Sequence, residues 1–372
     1  MKKIYPFLLI LLLIWSCKPT SEKASSKNIT HTRGVIGKQA MVVSARVEAS
    51  EIGKLILEQG GNAFDAMMAT ELALAVSYPY AGNIGGGGFM VYRLNNGDIG
   101  ALDYREKAPM AATTDMYLDE NGEVIPELST QGALAVGVPG TIAGVFAAHQ
   151  KFGTLPIKTI LTPVIALAKR GVVVTEKQEA RLNEKRSDFL KTNTDTIHLA
   201  LPWKTNDTIS YPNLARTLEN IMHQGRDAFY KGKVAETLVQ FLKDNGGIIT
   251  KEDLANYEAQ WRTPITFNYD NLRIISMSPP SSGGIALAQI LKSIEPFDLD
   301  TMGHNSVAAI QLIAEAERRA YADRSFYLGD PDFVTVPQDQ LISTDYLKDR
   351  MASFSFDKAT PSSEVSHGKV DI

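Results

Sequence analysis

Residues 79 to 94, PYAGNIGGGGFMVYRL, set four consecutive glycines between an apolar helical pattern and a strand. A phosphate loop needs the opposite order, because there the glycines open a helix whose N-terminus supplies the amides. Here the run opens a strand and lacks a following Lys-Ser/Thr pair. Glycines beside a strand let another backbone, or a ligand, approach where a Cβ would stand in the way. The residues alone fit close packing and a ligand-facing wall equally. Upstream, NAFDAMMATELALAVS (62–77) begins at a capping Asn62, repeats Phe64, Met67, Met68, Leu72 and Ala75 at helical spacing, and stops before Pro79. A preceding helix carries Ile52, Leu55 and Ile56 on one face and ends at Gly60-Gly61. Downstream, FMVYRL and IGALDYR flank NNGD, which predicts an antiparallel hairpin because Asn-Gly accepts the positive φ of a tight turn.

The rest of the chain alternates helices with short strands. GVPGTIAG (137–144) reads as a glycine-rich turn, TPVIALAKRG (162–171) as a proline-started helix, and 178–210 as a polar, weakly patterned stretch. Thr250 to Asp253 form a capping box, and 264–280 reads as a second strand pair ending in Pro279-Pro280. A last long helix is expected from Asn305 to about Arg324, with Ile310, Ile313, Ala314 and Tyr321 facing inward. No repeat and no long polar linker divides residues 34–372, so one α+β body with antiparallel strands is expected. The 372 residues are 44% hydrophobic and 22% charged, which is enough apolar material for a sizeable core. A net charge of -4 offers no basic stripe to displace phosphate counterions, so no nucleic-acid partner is expected.

The N-terminus has Lys2 and Lys3 before an apolar run from Ile4 to Trp15, then Ser16 and Cys17, the single cysteine. This predicts a lipoprotein signal peptide over 1–16, lipid on Cys17, and a flexible tether over 17–33. An uncleaved anchor or a plain secretory signal are the alternatives. All three place the protein outside the cytoplasm, in the cell envelope, either lipid-anchored facing the periplasm or soluble there.

Familiar catalytic patterns are missing. The six histidines form no HxxxH or HxH pair, so no metal site is expected, and there is no GxSxG elbow. Asp330 and Asp332 in LGDPDF would suit a cation or, more simply, a proline turn. Asp323-Arg324 reads as an internal salt bridge.

In order along the chain come GGNAFDAMMATELALAVSYPYAGNIGGGGFMVYR, DYREKAP, GVPGTIAG, PPSSGG and AEAERRAYADRSFYLGDPDF. Together these resemble the large subunit of γ-glutamyltransferases, also called γ-glutamyltranspeptidases or glutathione hydrolases. The resemblance implies an N-terminal-nucleophile hydrolase, an αββα sandwich that cuts itself into large and small subunits and needs no cofactor. A threonine heading the small subunit would attack the γ-glutamyl carbonyl, its freed α-amine serving as base, and the acyl group would pass to water or an amino acid. The family's Thr-Thr-His-type cleavage signal should follow soon after EVSHGKVDI, where this sequence stops, and Thr113-Thr114 is followed by Asp115 in another context. The chain is therefore expected to hold no catalytic nucleophile, to be inactive alone, and to require the small subunit of the same precursor as its partner.

One site residue carries over. Arg105 in DYREKAP matches the arginine that holds the α-carboxylate of γ-glutamyl compounds such as glutathione, and a planar guanidinium suits that task. From the residues alone, Arg105 could instead pair with Asp103 or Glu106, with Glu106 a support. Ser281, Ser282, Gly283 and Gly284 resemble a family loop, and two prolines plus two glycines there predict a fixed turn without an assigned chemical role. Related readings keep the fold but take a cephalosporin side chain or a poly-γ-glutamate capsule, or leave a lipid-anchored remnant that only binds γ-glutamyl compounds.

Overall fold

The computed structural model describes residues 34–193 and 195–370. The signal, Cys17 and the tether lie outside the described residues. Residues 34–41 form neither helix nor strand.

From Val42 onward the fold is α+β. Helix α1 (Val47–Glu58) turns at Gly60 into α2 (Ala63–Ser77), whose start is a full capping box: Asn62 accepts from the Phe64 and Asp65 amides, and Asp65 accepts from the Asn62 amide. Met68, Leu72 and Val76 are fully buried, so α2 is central as its pattern predicts. Leu55 of α1 is an exception at 37% exposure, lying off the face that buries Ile52 and Ile56. Strands β1 (Phe89–Arg93) and β2 (Ile99–Asp103) pair antiparallel in the register Phe89↔Asp103, with Gly97 at φ +94° in the turn.

Helix α3 (Thr141–Phe152) follows the GVPG turn. Helix α4 spans Ile157–Arg170 and begins five residues before the expected proline start at Thr162. Pro163 lies inside it and forgoes one backbone bond, but burial of Ile160, Leu161, Val164 and Leu167 sustains the helix across that break. Strand β3 (Val172–Val173) pairs with β4 (Thr208–Ile209), and between them the stretch expected to be weakly patterned forms α5 (Glu176–Thr192). Its apolar signal is weak because only Gln178 of that helix is buried; a Thr175–Gln178 capping box marks its start.

Helices α6 (Pro212–Gln224) and α7 (Lys233–Asp244) lead to the Thr250–Asp253 box and then to β5 (Gln260–Arg262), which joins the first sheet in the order β1-β2-β5. Strands β6 (Ile265–Tyr269) and β7 (Leu272–Ser276) form the expected second hairpin, with Ile265 and Phe267 packed towards α8 (Gly283–Ile294). Helices α9 (Val307–Tyr327) and α10 (Thr344–Met351) complete the longer helices among the described residues.

Helix α9 corrects the inward face expected for it. Ile310 and Tyr321 are 55% and 56% exposed and Ile313 is also exposed, while Glu315, Arg319 and Asp323 are buried beside Leu312, Ala316 and Ala320. Apolar periodicity points to the outward face because the inward one is built around paired charges.

Candidate substrate-carboxylate site

Two glycine-rich segments converge on the backbone of residues 104–106. Tyr104 and Gly88 exchange hydrogen bonds, Tyr104 N–H to Gly88 carbonyl at 3.0 Å and Gly88 N–H to Tyr104 carbonyl at 3.2 Å, continuing the β1–β2 ladder. A Cβ on Gly87 would stand 2.8 Å from the Glu106 nitrogen and 2.9 Å from the Arg105 carbonyl carbon; one on Gly88 would stand 2.8 Å from the Tyr104 ring. On the other side, Gly140 faces the Tyr104 carbonyl and Gly144 the Tyr104 ring too closely for any side chain, and Gly137 abuts the Cβ of Glu106. The Gly86 carbonyl accepts from the Gly140 and Thr141 amides at 2.8 and 3.0 Å, joining the two segments directly. Close packing therefore accounts for Gly87 and Gly88.

Further bonds lock the same stretch. The Tyr257 hydroxyl donates to the Arg105 carbonyl (2.7 Å), the Arg105 amide donates to Asp103 Oδ1 (3.1 Å), and Lys107 and Val138 exchange backbone bonds. Tyr257 is itself held by a parallel stack on Tyr230 at 5.9 Å, and burial pushes its phenol well above the ordinary tyrosine range, so it stays a neutral donor. Arg105 thus sits two residues past the end of β2, in a loop bonded on both sides.

The Arg105 side chain is exposed, and among the described residues its guanidinium makes no hydrogen bond or ion pair. Neither pairing open to it in the sequence is made. Asp103 is taken by Arg262, whose Nε and Nη2 donate to Oδ2 at 3.1 and 2.9 Å; Glu106 projects over Gly86, so the supporting role expected for it does not appear. Arg262 also grips Asp332, with Nη1 on Oδ1 at 2.7 Å and Nη2 on Oδ2 at 3.0 Å. Those bonds hold the Asp332 carboxyl below the usual carboxylate range. Asp330 accepts from the Asp332 amide at 3.0 Å, so LGDPDF is a turn, and no group of three or more metal-ligating side chains exists among the described residues.

Arg262 and Tyr257 escaped the sequence reading, since nothing local ties either to the Arg105 loop. A cleft of about 520 Å³ opens beside Arg262, between Ser278-Pro279 and residues 331–336, and the buried Ser278 hydroxyl within it has no hydrogen-bond partner among the described residues. In the adjoining PPSSGG turn, Ser282 precedes α8 and its Oγ accepts from Arg324 Nε at 2.9 Å. Gly283 opens α8 and bonds Ser281 Oγ through its amide, while a side chain on Gly284 would meet the Met277 carbonyl. Arg324 therefore does not pair with Asp323, which bonds Arg350 instead.

The family model for gamma-glutamyltranspeptidase matches residues 49–371. The chain belongs to the gamma-glutamyltranspeptidase family. It is 46% identical over 340 residues to a glutathione hydrolase proenzyme of Escherichia coli (strain K12), covering 90% of this chain and 59% of that protein. The chain thus spans under two thirds of that relative's length. Among solved gamma-glutamyltranspeptidases, the Helicobacter pylori structure superimposes with a TM-score of 0.87 at 46% identity, over 90% of this chain and 97% of that one. A Pseudomonas nitroreducens gamma-glutamyltranspeptidase complexed with L-DON gives a TM-score of 0.85 at 41% identity, over 89% of this chain and 99% of that one. The α+β fold is accordingly that of a gamma-glutamyltranspeptidase large-subunit portion, as the order of motifs implied.

Proposed function

We propose that this chain is the large-subunit portion of an exported γ-glutamyltransferase, which cleaves the γ-glutamyl bond of glutathione and related compounds and passes the acyl group to water or an amino acid. The observation that carries this reading is the unpaired, exposed guanidinium of Arg105 on a backbone held by Gly88, Asp103 and Tyr257. An arginine left without a partner, on a rigid mount, is a ready receptor for a carboxylate, because two parallel N–H bonds fix orientation as well as charge. In this reading Arg105 grips the α-carboxylate and so directs the γ-carbonyl toward a threonine at the head of the small subunit. That threonine attacks, its α-amine accepts the proton, and backbone amides stabilise the oxyanion before water or an acceptor amine releases the acyl group. That the E. coli and Pseudomonas relatives are glutathione hydrolase proenzymes supports glutathione as donor. We further propose that lipid on Cys17 holds the protein in the cell envelope.

The test joins the chain to a downstream segment beginning with threonine. The precursor is expected to cut itself and to release 4-nitroaniline from γ-glutamyl-4-nitroanilide. Arg105→Lys should raise KM for that donor by about a hundredfold through loss of the two-pronged grip. Absence of self-cleavage in the intact precursor would defeat the proposal, and a preference for poly-γ-glutamate or a cephalosporin side chain over glutathione would redirect it to another acyl group.

A further inference from the structure

Asp323, near the end of α9, is 1% exposed, and four donors converge on its carboxylate. They are Gln289 Nε2 from α8 (2.9 Å), the Tyr346 hydroxyl (2.8 Å) and Arg350 Nη2 (3.0 Å) from α10, and the backbone N–H of Gly368 (2.9 Å). The last belongs to residues 365–370, which have no helix or strand of their own. One turn along α9, the Tyr327 hydroxyl donates to the Gly368 carbonyl (2.5 Å) and accepts from the Val370 amide (3.2 Å). Arg350 Nη2 also donates to the Ser366 carbonyl at 2.8 Å, and the His367 ring stacks on Phe326 at 3.6 Å. The fit leaves no slack: a Cβ on Gly368 would come 2.7 Å from Arg350 Cδ and 2.8 Å from the Tyr346 ring.

Irregular chain normally leaves its polar groups to water. Here four backbone groups of residues 366–370 are bound by side chains: the Ser366 carbonyl by Arg350, the Gly368 amide by Asp323, and the Gly368 carbonyl and Val370 amide by Tyr327. Apolar packing would fill that space without the desolvation cost of a carboxylate and a guanidinium, so what the charges add is a defined position.

We infer that Asp323, Tyr327 and Arg350 form a clamp on residues 366–370 that sets the path of the polypeptide continuing from them, and that they are positioning residues for self-cleavage of the precursor. The inference rests on the reading that a small-subunit segment headed by threonine follows this region. In that cleavage the threonine hydroxyl attacks the carbonyl of the residue before it, and the peptide nitrogen takes the hydroxyl proton and leaves as the new α-amine. Water then hydrolyses the ester, so one peptide bond and one water give a carboxylate and an amine. The large-subunit portion contributes geometry to this step, and intramolecular attack is sensitive to displacements on the order of 1 Å.

Two substitutions in the full precursor test the clamp. Tyr327→Phe removes one hydroxyl, and Gly368→Ala presses on the clamped segment while leaving α9 untouched. Each is expected to lengthen the half-time of cleavage by about tenfold or more. Once cleavage has run to completion, the mature mutant enzymes should hydrolyse γ-glutamyl-4-nitroanilide with unaltered kcat and KM. Wild-type cleavage half-times in both mutants, with faster amide exchange at positions 368 and 370 proving the clamp released, would overturn the inference. So would an equal loss in cleavage and in mature turnover, which would denote a general folding defect. A wild-type precursor that never cuts itself would remove the underlying reading together with the clamp's role, whereas failure of the clamp alone leaves wild-type cleavage intact.

Discussion

At the scale of single residues, the chemistry is decided by which charges are already satisfied. Arg262, Arg319 and Arg350 are committed to Asp103, Glu315 and Asp323, and the first of these pairs denies Asp103 to Arg105. Glu315 shows the cost and return of such a commitment. It is 3% exposed and accepts from Arg319 Nη1 (2.5 Å), Arg318 Nη1 (2.7 Å) and the Thr360 amide (3.0 Å). Burial alone would raise its pKa, but the hydrogen bonds from Arg319 and Thr360 and the Arg319 charge outweigh it and pull the carboxyl down to about 2. A carboxyl depressed in the folded state stabilises above its unfolded value of 4.5, and that contribution disappears as pH falls from there towards 2. Denaturant midpoints measured between those limits should fall steeply for the parent and less steeply for Glu315→Gln, which should also be about 2–4 kcal/mol less stable at neutral pH. Parallel pH profiles for the two proteins would contradict this account. None of it was legible in the sequence, because Glu315 and Arg319 are spaced i,i+4 and look like an ordinary solvated pair.

Elements were legible wherever their signals were local. The Asn62 cap, the Thr250 capping box, the Asn-Gly turn and the hairpin 264–280 stand where the residues put them, since each is specified within a few positions. Helix α4 starts earlier than its pattern suggests because a proline followed by apolar residues resembles an N-terminus, whereas burial carries the helix back to Ile157. The hairpin that mounts Arg105 gives an element-level prediction. Gly87→Ala would drive a methyl into the backbone of Arg105 and Glu106 without removing any side chain of the site. It should cost about 1–3 kcal/mol of stability and raise donor KM through displacement of Arg105. Both are read from denaturant midpoints and from 4-nitroaniline release by the mature enzyme; an unchanged KM would mean that the tetraglycine does not set the arginine's position.

For the whole molecule, the hairpins and the longer helices gather into cores with different makeup. One apolar core runs through α1–α4, α6 and α7, while the second, around α8–α10, is divided among small apolar clusters and the paired charges of α9. The attachment to the envelope proposed above is likewise tested on the intact chain. Expressed in a bacterial host supplied with radiolabelled palmitate, the protein should incorporate label and Cys17→Ala should not; a parent protein without label, or equal label in both, would rule out lipid on Cys17. The sequence by itself determined the helix caps, the turns, the antiparallel pairing and the family, because capping, turn chemistry and a run of matching motifs are all written over short spans. Only the tertiary structure decided which charge meets which. Asp103 lies 159 positions from the arginine that claims it, and a buried ion pair forms only where the fold brings both partners together out of water. That one long-range pairing takes Asp103 away from Arg105, two positions along the chain.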